Sequence, residues 1–131
     1  MIQKKGEKEN EFSIFPITPT ILQTLNEMNF LKPTPIQESA IPKILEGKDL
    51  LGQAKTGTGK TGAFGIPILS KLDKRIRTPQ ALIIVPTREL ALQVSNEIQR
   101  IGKREKCSLV TVYGGASMDV QSRAIQKGYT A

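Results

Sequence analysis

The sequence predicts an α/β protein: an open, mostly parallel sheet with helices flanking its faces. Three observations carry that expectation. Segments with apolar residues at helical spacing alternate with short apolar runs, in the order strand, helix, strand, helix, strand, helix from residue 49 onward. The run Ala-Leu-Ile-Ile-Val at 81–85 contains no polar residue, as expected of a strand buried on both faces of a parallel sheet. A glycine-rich segment, 54–61, stands between the first short strand and the helix that follows it.

Taken in order, residues 1–11 are polar and mix Lys with Glu without periodicity, so they read as a flexible N-terminal tail, with a domain spanning 12–131. Thr18 followed by Pro19 suits a helix start. Ile21, Leu22, Leu25 and Met28 then recur at spacings of three and four, predicting a helix over 19–28. Pro33 and Pro35 push the residues before them out of helical geometry, so 32–34 is extended. A second helix carries Ile36, Ala40, Ile41, Ile44 and Leu45 on one face, with Gly47 suited to its C-terminal cap. Strands are expected at 49–53, 81–85 and 109–112, and helices at about 59–72, 88–102 and 118–127. Pro86 ends the second strand, and Thr87 can cap the helix after it.

Composition narrows the chemistry. The chain has 131 residues, one Cys and no His, and 19 Lys and Arg against 12 Asp and Glu give a net charge of +7. The length accommodates one domain at most. Without His there is neither a histidine general base nor a histidine metal ligand. A single cysteine, Cys107, forms no internal disulfide, which fits a reducing cytoplasm. No apolar run reaches the roughly 18 residues that a membrane helix needs. The positive balance favours an anionic partner. Most of the excess, however, falls in two runs, 71–77 and 100–106. Both precede expected strands, at the edge of the sheet opposite the one where ligands of open α/β sheets bind.

Ala54-Lys55-Thr56-Gly57-Thr58-Gly59-Lys60-Thr61 is the most informative stretch. A strand, a glycine-rich turn and a helix opened by Lys-Thr together bind nucleotide phosphates. Gly57 and Gly59 let backbone N–H groups close on phosphate oxygens, and the helix N-terminus adds its dipole. Lys60 supplies a mobile charge to the β- and γ-phosphates, while the Thr61 hydroxyl can ligate Mg²⁺. Other features are bland when taken singly. Gly114-Gly115 could be a tight turn, Arg88 and Glu89 surface charges, Gln37 an exposed helix residue and Phe12 a lone core aromatic.

Together, these features resemble the N-terminal RecA-like domain of DEAD-box RNA helicases from Phe12 to about Gly128. Asn29-Phe30-Leu31-Lys32-Pro33-Thr34-Pro35-Ile36-Gln37 resembles the family's Q motif, with Phe12 in the place of its upstream aromatic. Residues 54–61 resemble motif I, in which an initial Ala is normal. Pro86-Thr87-Arg88-Glu89-Leu90-Ala91 resembles motif Ia, and Gly114-Gly115 the GG motif. One departure is Asn29 where the family usually has Gly. The position needs a residue tolerant of positive φ after a helix, and Asn is the best substitute. A larger departure is that neither strand 81–85 nor strand 109–112 ends in a carboxylate.

The resemblance implies a partial RecA-like P-loop domain with ATP and Mg²⁺ as cofactors. Phe12 would stack on adenine and Gln37 would hydrogen-bond its edge, with Lys32 and Thr34 in support. Residues 54–61 would hold the phosphates, and Thr61 the metal. Pro86, Thr87, Arg88, Gly114 and Gly115 would hold RNA through its backbone, with little sequence specificity. It also implies that the Asp-Glu-Ala-Asp segment and a second RecA-like domain lie beyond residue 131. Three readings stay open: the ATP- and RNA-binding part of an ATP-dependent RNA helicase, inactive as 131 residues; a nucleotide- or RNA-binding module without hydrolysis; or a structural role, as a non-functional remnant or as a partner that pairs with a helicase sheet.

Overall fold

A computed structural model describes residues 9–128. A 3-10 turn, Glu11–Ile14, leads to five α-helices: α1 Pro19–Glu27, α2 Pro35–Leu45, α3 Lys60–Lys71, α4 Arg88–Ile101 and α5 Met118–Gln126. Each sequence-predicted helix forms within about two residues of its expected bounds. Helix α2 packs on α3, α3 on α4 and α4 on α1. Their shared core holds Phe12, Phe15, Ile21, Leu25, Ile41, Ile66, Leu69, Val94, Ile98 and Ile101. The α3–α4 approach depends on Gly65, where an added Cβ would come 3.2 Å from Ile98 Cγ1.

Helix ends follow local chemistry. After α1, Phe30 N–H bonds Leu25 C=O at 2.8 Å and Asn29 N–H bonds Asn26 C=O at 3.0 Å, a Schellman cap that requires left-handed backbone at Asn29. Asn29 has φ 59°, as the reading of that position expects. Gly47, φ 79°, closes α2 in the same way. Thr18 occupies the N-cap position of α1 but does not cap it. Its hydroxyl instead donates to Glu105 Oε1 at 3.0 Å.

Glu105 is a polar anchor within the packing. It is 7% exposed, accepts from Thr18 and Thr20, and pairs with Lys74 Nζ at 3.2 Å. Burial pushes its carboxyl up, but the bonds from Thr20, Lys74 and Thr18 more than offset that and hold its pKa below the ordinary glutamate range. Glu27 pairs with Lys103 at 2.7 Å and also with Arg104. Asp73 is held at about 2 by its side-chain bond to Arg75 and the Arg75 backbone N–H. Several cations of the two basic runs are therefore tied to the protein's own carboxylates.

Two expectations fail here. The tail was expected to extend through residue 11, yet Asn10 is buried. Its side-chain amide donates to Asn26 Oδ1 at 2.7 Å and to Phe30 C=O at 2.8 Å, and its carbonyl oxygen caps the 3-10 turn. Glu11 N–H bonds Leu31 C=O at 2.8 Å. The ordered chain thus begins before Phe12, while residues 1–8 of the expected tail lie outside the described residues.

The second failure is the sheet. Among the described residues no strand forms at 49–53, 81–85 or 109–112. A strand is defined by a hydrogen-bonded neighbour, and these segments have none. Segments 81–85 and 109–112, together with residues of α4, line a cleft of about 520 Å³. Ile83, Val85 and Leu109 pack on the core, whereas Leu82 and Ile84 are 85% and 84% exposed. The alternation is that of a strand with one covered face, present without its ladder.

Candidate functional site

The glycine-rich loop runs from 54 to α3, and its conformation is set where the helix begins. Gly59, the N-cap of α3, has φ 83° in the left-handed region, and Gly57 has φ 79°. The helical ladder starts with Ala63 N–H to Gly59 C=O at 3.1 Å. The first-turn N–H groups of Lys60, Thr61 and Gly62 consequently have no acceptor within the helix, which is the usual basis of anion binding at such an end. Lys60 is exposed and Thr61 half-buried, both in that first turn. A Cβ at Gly57 would meet nothing within 4 Å, so this part of the loop is an open cradle.

Gln37 fastens the loop from below. It is 5% exposed, and its Oε1 accepts from Thr34 N–H at 3.0 Å while its Nε2 donates to Gly59 C=O at 3.1 Å. The first bond is half of a capping box at the start of α2. Thr34 Oγ1, on the reciprocal side, is buried without a hydrogen bond of good geometry. The Gln37 amide rests in a notch that only glycines leave open. An added Cβ would lie 2.5 Å from Nε2 at Gly59 and 2.7 Å at Gly62. Gly62 escaped the sequence reading. Its signal was a glycine inside a helix, which costs about 1 kcal/mol against Ala and marks a close approach.

The structure therefore brings Thr34, Gln37 and 59–62 together. It does not bring Phe12 to them as a stacking surface. The Phe12 ring is 1% exposed and meets Phe15 edge-on, with centroids 6.1 Å apart at 65°. As arranged, its faces are covered by the core, and the expected adenine stack has no open ring to use. Lys32 is exposed on the segment between α1 and α2.

The second group of expected residues meets at the cleft beside α4. Pro86, Thr87, Arg88, Tyr113 and Gly114 all line it. Thr87 caps α4, its Oγ1 accepting from Leu90 N–H at 3.2 Å. Arg88 Cζ stands 4.4 Å from the centroid of the Tyr113 ring. Gly115 has φ 85°, and neither glycine of the pair has a neighbour where a side chain would stand. An exposed guanidinium and a bare glycine turn thus flank one edge, suited to an extended polyanion. Among the described residues no helix is long and apolar enough to cross a membrane, and no cluster of three or more acidic or Cys side chains offers a metal site.

A left-handed glycine N-cap followed by Lys-Thr at a helix start is the arrangement of phosphate-binding loops. Comparison with known proteins narrows the class. The DEAD/DEAH box helicase family matches over residues 34–131, and the chain belongs to that family. It is 49% identical over 117 residues to the ATP-dependent RNA helicase CshA of Listeria monocytogenes, covering 89% of this chain and 22% of that protein. It is 43% identical over 124 residues to the ATP-dependent RNA helicase DeaD of Escherichia coli, covering 94% and 20%. Among solved structures, it superposes on a DEAD box protein from the hyperthermophile Methanococcus jannaschii with TM-score 0.86 and 33% identity, covering 91% of this chain and 32% of that one. A hypothetical ATP-dependent RNA helicase from Sulfolobus tokodaii gives TM-score 0.74 at 36% identity, covering 86% and 32%. The chain spans about a fifth of the length of the curated relatives.

Proposed function

We propose that this chain is the ATP-holding and part of the RNA-holding region of a DEAD-box ATP-dependent RNA helicase. The observation that carries this reading is the Gln37 bridge, which ties a left-handed glycine N-cap and its Lys-Thr helix start to the segment preceding α2. The loop suits a triphosphate, because its Gly57 side is open and the α3 N-terminus is free of intrahelical acceptors. Residues 54–61 would bind the phosphates, Lys60 would neutralise the β- and γ-oxygens, and Thr61 Oγ1 would ligate Mg²⁺. The Mg²⁺ would supply charge neutralisation at the β- and γ-phosphates. Gln37 retains one N–H and one lone pair for an adenine edge, with Thr34 Oγ1 as a further polar group and Lys32 nearby in sequence.

RNA would lie along Pro86, Thr87, Arg88, Gly114 and Gly115, gripped by its backbone. Hydrolysis needs a carboxylate for the metal and a group that positions water. Segments 81–85 and 109–112 lead instead into Pro86-Thr87 and Tyr113-Gly114. Those groups, a second RecA-like domain and the strand that completes an open, mostly parallel sheet would come from the longer protein. A cytoplasmic location suits this reading.

Titration calorimetry with ATP and Mg²⁺ tests the proposal. The chain should bind, Lys60→Ala should abolish binding, and Gln37→Ala should weaken it while favouring ATP less strongly over GTP. Binding that survives Lys60→Ala would overturn the reading. RNA-stimulated hydrolysis should be absent; turnover removed by Lys60→Ala would show that 131 residues suffice.

A further inference from the structure

Gln121 and Tyr113 belong to no motif invoked above, yet they hold the turn that carries Gly114-Gly115. Gln121, on α5, makes four hydrogen bonds to that turn. Its Oε1 accepts from Tyr113 N–H at 2.8 Å, and its Nε2 faces the carbonyls of Tyr113, Ala116 and Ser117 at 3.3, 3.4 and 3.3 Å. One side-chain amide therefore closes the turn from both ends. It does so around Gly115, whose left-handed φ of 85° an unsupported turn would readily lose. Tyr113, the first residue of the clamped turn, presents its ring to the Arg88 guanidinium at 4.4 Å, within cation–π range. Arg88 opens α4, 25 positions earlier in the chain, and both residues of this contact line the cleft.

We infer that Tyr113 and Gln121 are positioning residues for RNA. Gln121 holds the Gly114-Gly115 turn in shape, and Tyr113 ties Arg88 to it, so that guanidinium and turn present a fixed spacing to successive phosphates. The inference rests on the RNA surface proposed above. An arginine held by a ring face loses less rotamer freedom when it meets a phosphate than one waving in solvent. A ring face leaves the guanidinium edge, with its N–H donors, free for the anion.

The test measures binding of a single-stranded oligouridylate by fluorescence anisotropy over a salt series, with ATP binding followed in parallel. Tyr113→Leu should weaken RNA binding about 2–5-fold, the size of an exposed cation–π contact, whereas Tyr113→Phe should retain it. Gln121→Ala should weaken it by at least as much, and Gln121→Glu likewise, because a carboxylate would face three carbonyl oxygens. ATP affinity should not change in any of these, since α5 has no buried side chain and the core stands without it. Arg88→Ala should lower both affinity and the salt slope, by about one unit in the slope. Its effect should shrink in the Tyr113→Leu background, which a purely structural role for Tyr113 would not produce. If Arg88→Ala leaves RNA affinity unchanged, the RNA surface itself fails, and this inference with it. If Arg88→Ala weakens binding but Tyr113→Leu or Gln121→Ala does not, or if either tightens it, the positioning role alone is overturned.

Discussion

Gln37 carries more of this molecule than its size suggests. It caps α2, bonds the N-cap of α3 and fills the space that two glycines leave open. Replacing either glycine should therefore act through Gln37. At Gly59 an alanine meets both a left-handed φ of 83° and the amide 2.5 Å away, so Gly59→Ala should cost the left-handed penalty of about 1–2 kcal/mol and also displace the bridge. At Gly57 the φ is similar but no protein atom lies within 4 Å, so Gly57→Ala should cost only the backbone penalty in stability, although its Cβ would enter the open phosphate cradle. Chemical denaturation of both variants, beside ATP titration, separates the two. Gly59→Ala should lose nucleotide binding out of proportion to its loss of stability if the bridge positions the loop. Equal losses of stability in the two variants would show that displacing Gln37 carries no cost.

At the scale of elements, the junction of α1, the 71–77 segment and the turn after α4 is held by a buried charge as well as by apolar contact. Glu105 meets Thr18, Thr20 and Lys74 there while buried. Glu105→Ala removes bonds to a charged group and strands Lys74 and two hydroxyls, so it should destabilise the chain by about 1–3 kcal/mol in urea unfolding. The same site sets an acid limb. Its pKa is lowered in the folded chain below the ordinary value of a glutamate. Its contribution is therefore complete above about pH 4.5 and drains as pH falls through the lower folded value. Glu27, lowered by its bonds to Lys103 and Arg104, acts in the same direction, and Asp73 follows as pH approaches about 2. Stability measured from pH 6 to pH 2 should decline steadily, and the Glu105→Ala curve should be flatter. Parallel curves would assign the acid limb to other groups.

For the whole molecule, the decisive feature is the cleft between 81–85 and 109–112. Two apolar segments line about 520 Å³ without a ladder between them, and Leu82, Ile84 and Val112 are exposed. Unpaired, strand-like apolar segments template association, and a core without its sheet buries less apolar surface than a complete domain does. The isolated chain should accordingly unfold below about 60 °C, in the lower part of the mesophile range, and light scattering should rise with concentration. A sharp calorimetric transition above that temperature would mean that the cleft is filled, either by a repacked chain or by a second copy. The net charge of +7 also looks different at this scale. Lys74, Arg75, Lys103 and Arg104 are paired with Glu105, Asp73 and Glu27, so the total charge is a poor guide to the RNA surface, and Arg88 is a better one.

What the sequence determined by itself was local. Helix positions followed from apolar spacing and prolines, Asn29 and Gly47 marked left-handed caps, and the order of glycine, lysine and threonine at 57–61 marked the phosphate loop. Each of these depends on interactions within a few residues, which a linear reading can follow. Tertiary structure decided the rest. Phe12 became core because Phe15 and the helices close over it. Gly62 became indispensable space because Gln37, 25 positions away in the chain, sits against it. Tyr113 met Arg88 only because α4 and the 109–113 segment border one cleft. The apolar run at 81–85 was strand-like in its alternation but formed no strand, because a strand is a relation between two segments and no segment among the described residues forms a ladder with it.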